Sequence, residues 1–293
     1  MVTILALAAA MLYGTADFLG GVASRRASVF AVLAVTVPAG AVVMIVAALA
    51  GGTLGAGQVG GWSTAGWAAA SGVFGASGLV AFYAGFASAP ISVVAPVAAL
   101  VSAVLPVGVA ISGGERPGGG VIAGGLLCLV AIVLVSMQPS GPGPDQEAAE
   151  PGSRRRRLRA LGYGAAAGAG FGLFFIFLKN AGQSGVLWPV AISRSAGTVM
   201  AFGIALATRT RLWPRDKGGM LRIALLSGAI DAAANVCYVL ATRAGLFGLA
   251  VVITSLYPGI TVLLARLLLG ERLRWLQRAG LVLAAAGVVL VTL

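Results

Sequence analysis

The chain has 293 residues, 59% of them hydrophobic and 10% charged, with a formal net charge of +12. A soluble protein carries about a quarter charged residues, so this chain cannot cover a globular surface with polar groups, and lipid is its natural solvent. The positive charge does not indicate nucleic acid: most Lys and Arg lie between hydrophobic blocks as topology signals and headgroup contacts, and no polar stretch could hold a nucleic-acid-reading fold.

Ten hydrophobic blocks of spanning length follow in order, at 3–23, 28–50, 64–86, 91–112, 118–137, 160–179, 186–207, 220–242, 246–269 and 275–293. Each is expected to be a transmembrane helix, because open strand edges cannot face lipid. The first block has no basic region before it and is long enough to span, so it reads as a helix rather than a cleavable leader. It holds Tyr13 and, one turn on, Asp17. Two readings stand for Asp17: a proton carrier or cation contact, or a shallow partner of Arg25 and Arg26. Pro90, Pro96 and Pro106 in or beside the fourth block predict kinks. In the fifth, Gly120 and Gly124 predict close helix approach. Pro139 to Arg159 is the one long polar segment and reads as a flexible linker with a basic end.

The sixth block carries a small-xxx-small run, Gly164, Gly168 and Gly172, and four phenylalanines at 171, 174, 175 and 177. Two readings stand for these rings and for Trp188 at the start of the seventh block: the lining of a cavity for an apolar or aromatic moiety, and lipid contact or an interfacial belt, which is the expectation for most of them. Arg194 stands at the middle of the seventh block, flanked by Ser193 and Ser195, with Thr198 one turn on. It suits a substrate carboxylate or a permanent pairing with Asp231. In the eighth block Ser227, Asp231, Asn235, Tyr238 and Thr242 recur at spacings of four, four, three and four, which puts them on one helix face. Such a polar stripe faces a cavity or a partner helix. The functional reading is a substrate or proton site, favoured because an acid is a costly way to hold helices together. Pro258 marks a break or hinge in the ninth block. Glu115 and Glu271, each at a helix end before an arginine, read as interfacial residues that fix tight turns, and Arg266 reads as a snorkelling residue.

The chain has no histidine, which excludes His-based metal sites and His general bases; no metal, cofactor or catalytic residue is assigned. Cys128 and Cys237 sit inside hydrophobic blocks as small apolar residues.

The halves repeat. A shift of 156 residues carries Gly14 to Gly170, Phe18 to Phe174 and Ser71 to Ser227. It also carries Gly114-Glu115-Arg116 to Gly270-Glu271-Arg272 and the close of the fifth block to that of the tenth. One ungapped offset over all these points indicates internal duplication. The expected units are 1–137 and 160–293, joined by a linker at 138–159. Five helices is an odd number, so the second unit must enter the membrane the other way up. The fold class is therefore an all-α integral membrane protein of about ten helices in two inverted five-helix repeats.

At this point the residues resemble a known family, the ten-helix EamA-type members of the drug/metabolite transporter superfamily. Tyr13-Gly14-Thr15-Ala16-Asp17-Phe18 is similar to the family's aromatic-Gly-Ser pattern in the first helix. Arg194 stands where members commonly carry an arginine, and Tyr257-Pro258 precedes Leu269-Gly270-Glu271-Arg272 and a final helix with Gly280 and Gly287. The first repeat departs, with Pro38 paired to Arg194 and Ser102 paired to Pro258.

The resemblance and the inverted repeat together imply a multi-pass transporter of the plasma membrane. It would export a small metabolite or drug by alternating access, with proton coupling one option. The expected binding or coupling residues are Tyr13, Asp17, Arg194, Ser227, Asp231, Asn235 and Tyr238. With no Gly-x-x-x-x-Gly-Lys loop there is no ATPase site. The alternatives are an intramembrane enzyme using Asp17 and Asp231, and a scaffold or channel. Small-molecule substrate and lipid are the expected partners; homodimerisation is left open. The basic connections put the linker in the cytoplasm and both termini outside, whereas the resembled family is usually drawn with both termini inside.

Overall fold

The computed structural model describes residues 1–24, 29–52, 61–88, 91–136, 153–207, 219–269 and 275–292. They form α1 (Val2–Ser24), α2 (Val29–Ala50), α3 (Trp62–Ser88), α4 (Ile91–Ser112) and α5 (Gly119–Ser136), then α6 (Ser153–Ala181), α7 (Leu187–Ala207), α8 (Gly219–Arg243), α9 (Phe247–Thr254), α10 (Tyr257–Leu269) and α11 (Trp275–Thr292). No strand occurs among the described residues. Among the described residues, eight segments are long and apolar enough to cross a membrane, α9 and α10 together making one of them. The other two are α7, which carries Arg194, and the shorter α11. The protein is an all-α membrane protein.

Two boundaries differ from the sequence reading. The chain is already helical at Ser153, so residues 153–159 of the expected linker extend α6. Arginines have high helix propensity and continue the turn past the apolar block. The ninth block is two helices, split at Ser255 and Leu256 just before Pro258. Ser255 N–H and Leu256 N–H close the first half on the carbonyls of Val251 and Ile253, and Pro258, having no N–H, fits the first turn of the next. The fourth block, by contrast, stays one helix through Pro96 and Pro106. Arg25, Arg26, Pro90, Gly270-Glu271-Arg272 and linker residues 138–152 lie outside the described residues.

Large side chains such as Ile4, Val199, Leu206 and Val282 are exposed on the outside, while alanine dominates the buried positions. That pattern fits lipid as the solvent, where helices associate by close packing rather than by hydrophobic segregation. Glycines set the contacts. The run Gly164, Gly168 and Gly172 lies on α4, and a Cβ at Gly168 would come 2.6 Å from the Ala98 carbonyl.

The same contacts show the inversion. Helices α5 and α11 are counterparts under the 156-residue shift, and they pack against each other antiparallel: Gly124 lies against Gly287, and Gly280 against Ala131. The shift exchanges these two contacts. A rotation that superposes antiparallel neighbours must have its axis across the helices, in the plane of the membrane. Helices α3 and α6 pair as α8 and α1 do, and α3 with α7 as α8 with α2. The partners in each pair belong to different units, so the units interlock.

Candidate functional site

A cavity of about 840 Å³ lies between the units. Near the middle of the bundle it is lined by Tyr13 and Asp17 of α1, Phe175 of α6, Arg194 of α7, Asp231 of α8 and Tyr257 of α10. From there the lining runs one way, to Ser24, Phe30, Phe82, Ser136, Ile204 and Gln277. Apart from Phe82 of α3, these lie at or near the helix ends that join the basic connections of the sequence.

The opposite end of the bundle is closed. The Glu115 carboxylate, after α4, accepts hydrogen bonds from the Phe247 N–H at 2.7 Å and the Gly248 N–H at 3.0 Å. It thus caps the first turn of α9, where orphan N–H groups favour an anion. The Lys179 ammonium stands 4.9 Å from the centre of the Phe247 ring, and the hydroxyls of Thr64 and Ser184 meet at 2.8 Å. Glu115 therefore does more than fix a turn: it ties the first unit to the second. Both described termini lie at this end, with Val2 beside Gly245 and Val291 clustered with Ala6.

Arg194 and Asp231 form a salt bridge, and the Arg194 Nη2 also makes a long hydrogen bond, 3.5 Å, to the Asp231 carbonyl oxygen. Of the two sequence readings of Arg194, the pairing is the one present. Their side chains remain 15% and 25% exposed, so the pair still reaches the cavity. The Arg194 Nε is buried and has no partner. Asp17 differs. It is exposed to the cavity and, among the described residues, has neither an ion-pair nor a hydrogen-bond partner.

The polar stripe on α8 divides by depth. Ser227 and Asp231 line the cavity, and the Ser227 hydroxyl donates to the Ala16 carbonyl at 2.8 Å. Asn235 and Tyr238 do not line it; both are buried behind it. Asn235 accepts a hydrogen bond from the Tyr13 hydroxyl at 2.9 Å and donates to the Asp231 carbonyl at 2.6 Å. Tyr238 donates to the Phe175 carbonyl at 2.8 Å and packs on that ring at 4.8 Å between centroids. Thr242 turns back on its own helix, donating to the Val239 carbonyl. Helical spacing put the five on one face, but a face that crosses a whole bundle passes from cavity to packed interior.

The aromatic residues of α6 depart from the expectation of lipid contact. Phe171, Phe174 and Phe175 line the cavity, and Phe177 packs against Trp67 and Phe74 at 5.3 and 5.2 Å. Tyr257, which the sequence marks only as part of the Tyr257-Pro258 motif, lines the cavity with its ring 6.1 Å from that of Tyr13. The signal that could have found it is Pro258, since a broken helix places its break beside a binding site.

Comparisons with known proteins agree with this architecture. The profile of the EamA-like transporter family matches residues 158–293. A second profile, a domain related to the MnhB subunit of Na+/H+ antiporter, matches residues 90–210; it begins with α4 and ends after α7, so it does not coincide with either repeat. No curated protein matches the chain. A solved crystal structure of a protein 18% identical in sequence superposes with a TM-score of 0.80, covering 99% of this chain and 95% of that one. This likeness shows the fold. The second unit, over residues 158–293, belongs to the EamA-like transporter family of the drug/metabolite transporter superfamily, which points to a membrane transporter of that type.

Proposed function

We propose that the protein is a secondary transporter of the plasma membrane that exports a small metabolite or drug by alternating access. The observation that carries this reading is a cavity between two inverted units, reaching one end of the bundle while a cross-unit cap closes the other. Inverted units supply two related states, since each can take the role of the other. By the positive-inside rule the mouth, beside the basic connections, faces the cytoplasm. The units expected at 1–137 and 160–293 rock about the cavity, and release follows when the Glu115 cap parts. Tyr13, Asp17, Arg194, Ser227 and Asp231 form the binding surface, with Asn235 and Tyr238 positioning Tyr13 and Phe175 from behind. Asp17, a carboxylate with no cation beside it among the described residues, is the candidate for proton coupling. The pairing of Asp231 with Arg194 counts against an enzyme using Asp17 and Asp231 as an acid pair, because a carboxylate held by arginine is a poor proton donor.

The test is solute flux in vesicles reconstituted with the purified protein, with and without an imposed proton gradient. Saturable flux of a metabolite that accelerates with the gradient is expected. No flux of any solute under any gradient, alongside a covalent product, would sink the transporter reading.

A further inference from the structure

We infer that the cavity selects organic cations with an aromatic or apolar body, and that the Asp17 carboxylate anchors the positive group; this rests on the reading of the cavity as the transport site.

Among the described residues, three charged side chains line the cavity: Asp17, Arg194 and Asp231. The last two neutralise each other in a salt bridge. What remains is one negative charge, on a side chain exposed to the cavity and without a partner among the described residues. In a low-dielectric site an uncompensated charge dominates recognition. An anionic ligand would gain Arg194 only by taking it from Asp231, leaving two uncovered carboxylates in one cavity. A zwitterion placed with its carboxylate on Arg194 must direct its ammonium to Asp231 or Asp17 and still leaves the other carboxylate uncovered. The one unpartnered nitrogen of Arg194, Nε, is buried. A cation meets no such obstacle.

The rest of the lining suits the body of such a ligand. Tyr13, one turn from Asp17, stands edge-on to Phe175 at 6.1 Å and beside Tyr257 at 6.1 Å, and Phe174 packs on Phe175 at 5.2 Å. All four line the cavity. Aromatic faces attract cations through the ring quadrupole and repel anions, so they reinforce the choice made by Asp17. A volume of about 840 Å³ is within the range of drug-sized sites.

Equilibrium binding to the purified protein in detergent tests this with three ligands sharing one phenyl body: phenethylamine, a cation; 3-phenylpropionate, an anion; and phenylalanine, a zwitterion. Phenethylamine is expected to bind at least tenfold more tightly than either of the others. Asp17→Asn should erase that preference, and Asp17→Glu, which restores the charge, should keep it, with both variants eluting as folded protein. Binding of phenethylamine no stronger than that of 3-phenylpropionate, including binding of neither, overturns the inference. So does Asp17→Asn with the preference intact. Flux is measured separately. Transport of some solute by a protein without the cation preference removes this inference and leaves the transport reading; Asp17-dependent cation binding without any flux does the reverse.

Discussion

In the first unit Gly72 lets α3 close onto the backbone of α7 at Ser193; in the second, Gly228, its counterpart 156 residues on, lets α8 close onto the backbone of α2 at Thr36. Ser71 and Ser227 are counterparts too, and each donates to a carbonyl of a neighbouring helix of the other unit, Phe174 and Ala16. Where the same helices face the cavity, the units part. Arg194 stands opposite Pro38, Asp231 opposite Gly75, and Asp17 opposite Leu173. Gly75 is not idle: its missing side chain makes room for the ring of Phe174, where a Cβ would come within 3.0 Å. Duplication has kept the residues that let the units interlock, because each such contact serves the frame twice. The lining is free of that constraint. One unit supplies the ion pair of α7 and α8, and the other supplies the acid that, among the described residues of the lining, stands unpaired.

This contrast can be broken or sharpened by substitution. The largest effects belong to the shared frame. Gly72→Val and Gly228→Val should each destabilise the protein by about 3 kcal/mol or more, since the new side chain meets backbone rather than a side chain that can move. The two should have similar effects, measured by thermal unfolding of the purified protein; a large effect at one position alone would mean the frame is not symmetric.

Next comes the ion pair. Asp231→Ala leaves the Arg194 guanidinium without its counter-charge and should cost about 3 kcal/mol. Adding Arg194→Met should restore most of that loss, giving a strong coupling in a double-mutant cycle. Additive losses would mean that the two residues act independently, as substrate ligands.

The smallest effect lies at the closed end. Glu115→Ala removes the cap on α9 and should cost about 1 kcal/mol, too little to unfold the protein. It should nevertheless shift the balance between states about fivefold. A cysteine at the buried position Ala110, beside Gly248, introduced after replacing Cys128 and Cys237, should then label about fivefold faster with a membrane-impermeant maleimide. Unchanged labelling would show that Glu115 only braces the turn.

Much of this protein was legible before any coordinates. Ten helical blocks follow from block length, because lipid leaves helices as the only open choice for such a chain, and eight of them are, among the described residues, long and apolar enough to cross a membrane. The inversion follows from an odd helix count in each repeat, and α5 against α11 bears it out. The ionisable residues stood out because membranes make them costly. What the sequence could not decide was which of them touch. Asp17 and Asp231 are both aspartates inside spanning helices. One is paired and one is not because α7, the helix before α8, packs so as to bring Arg194 to Asp231. The polar stripe on α8 was equally readable, but only packing decided that Ser227 and Asp231 face the cavity while Asn235 and Tyr238 brace its aromatic floor. Periodicity reports the face of one helix; a charge's partner, and the line between cavity and core, depend on how separate helices pack against one another.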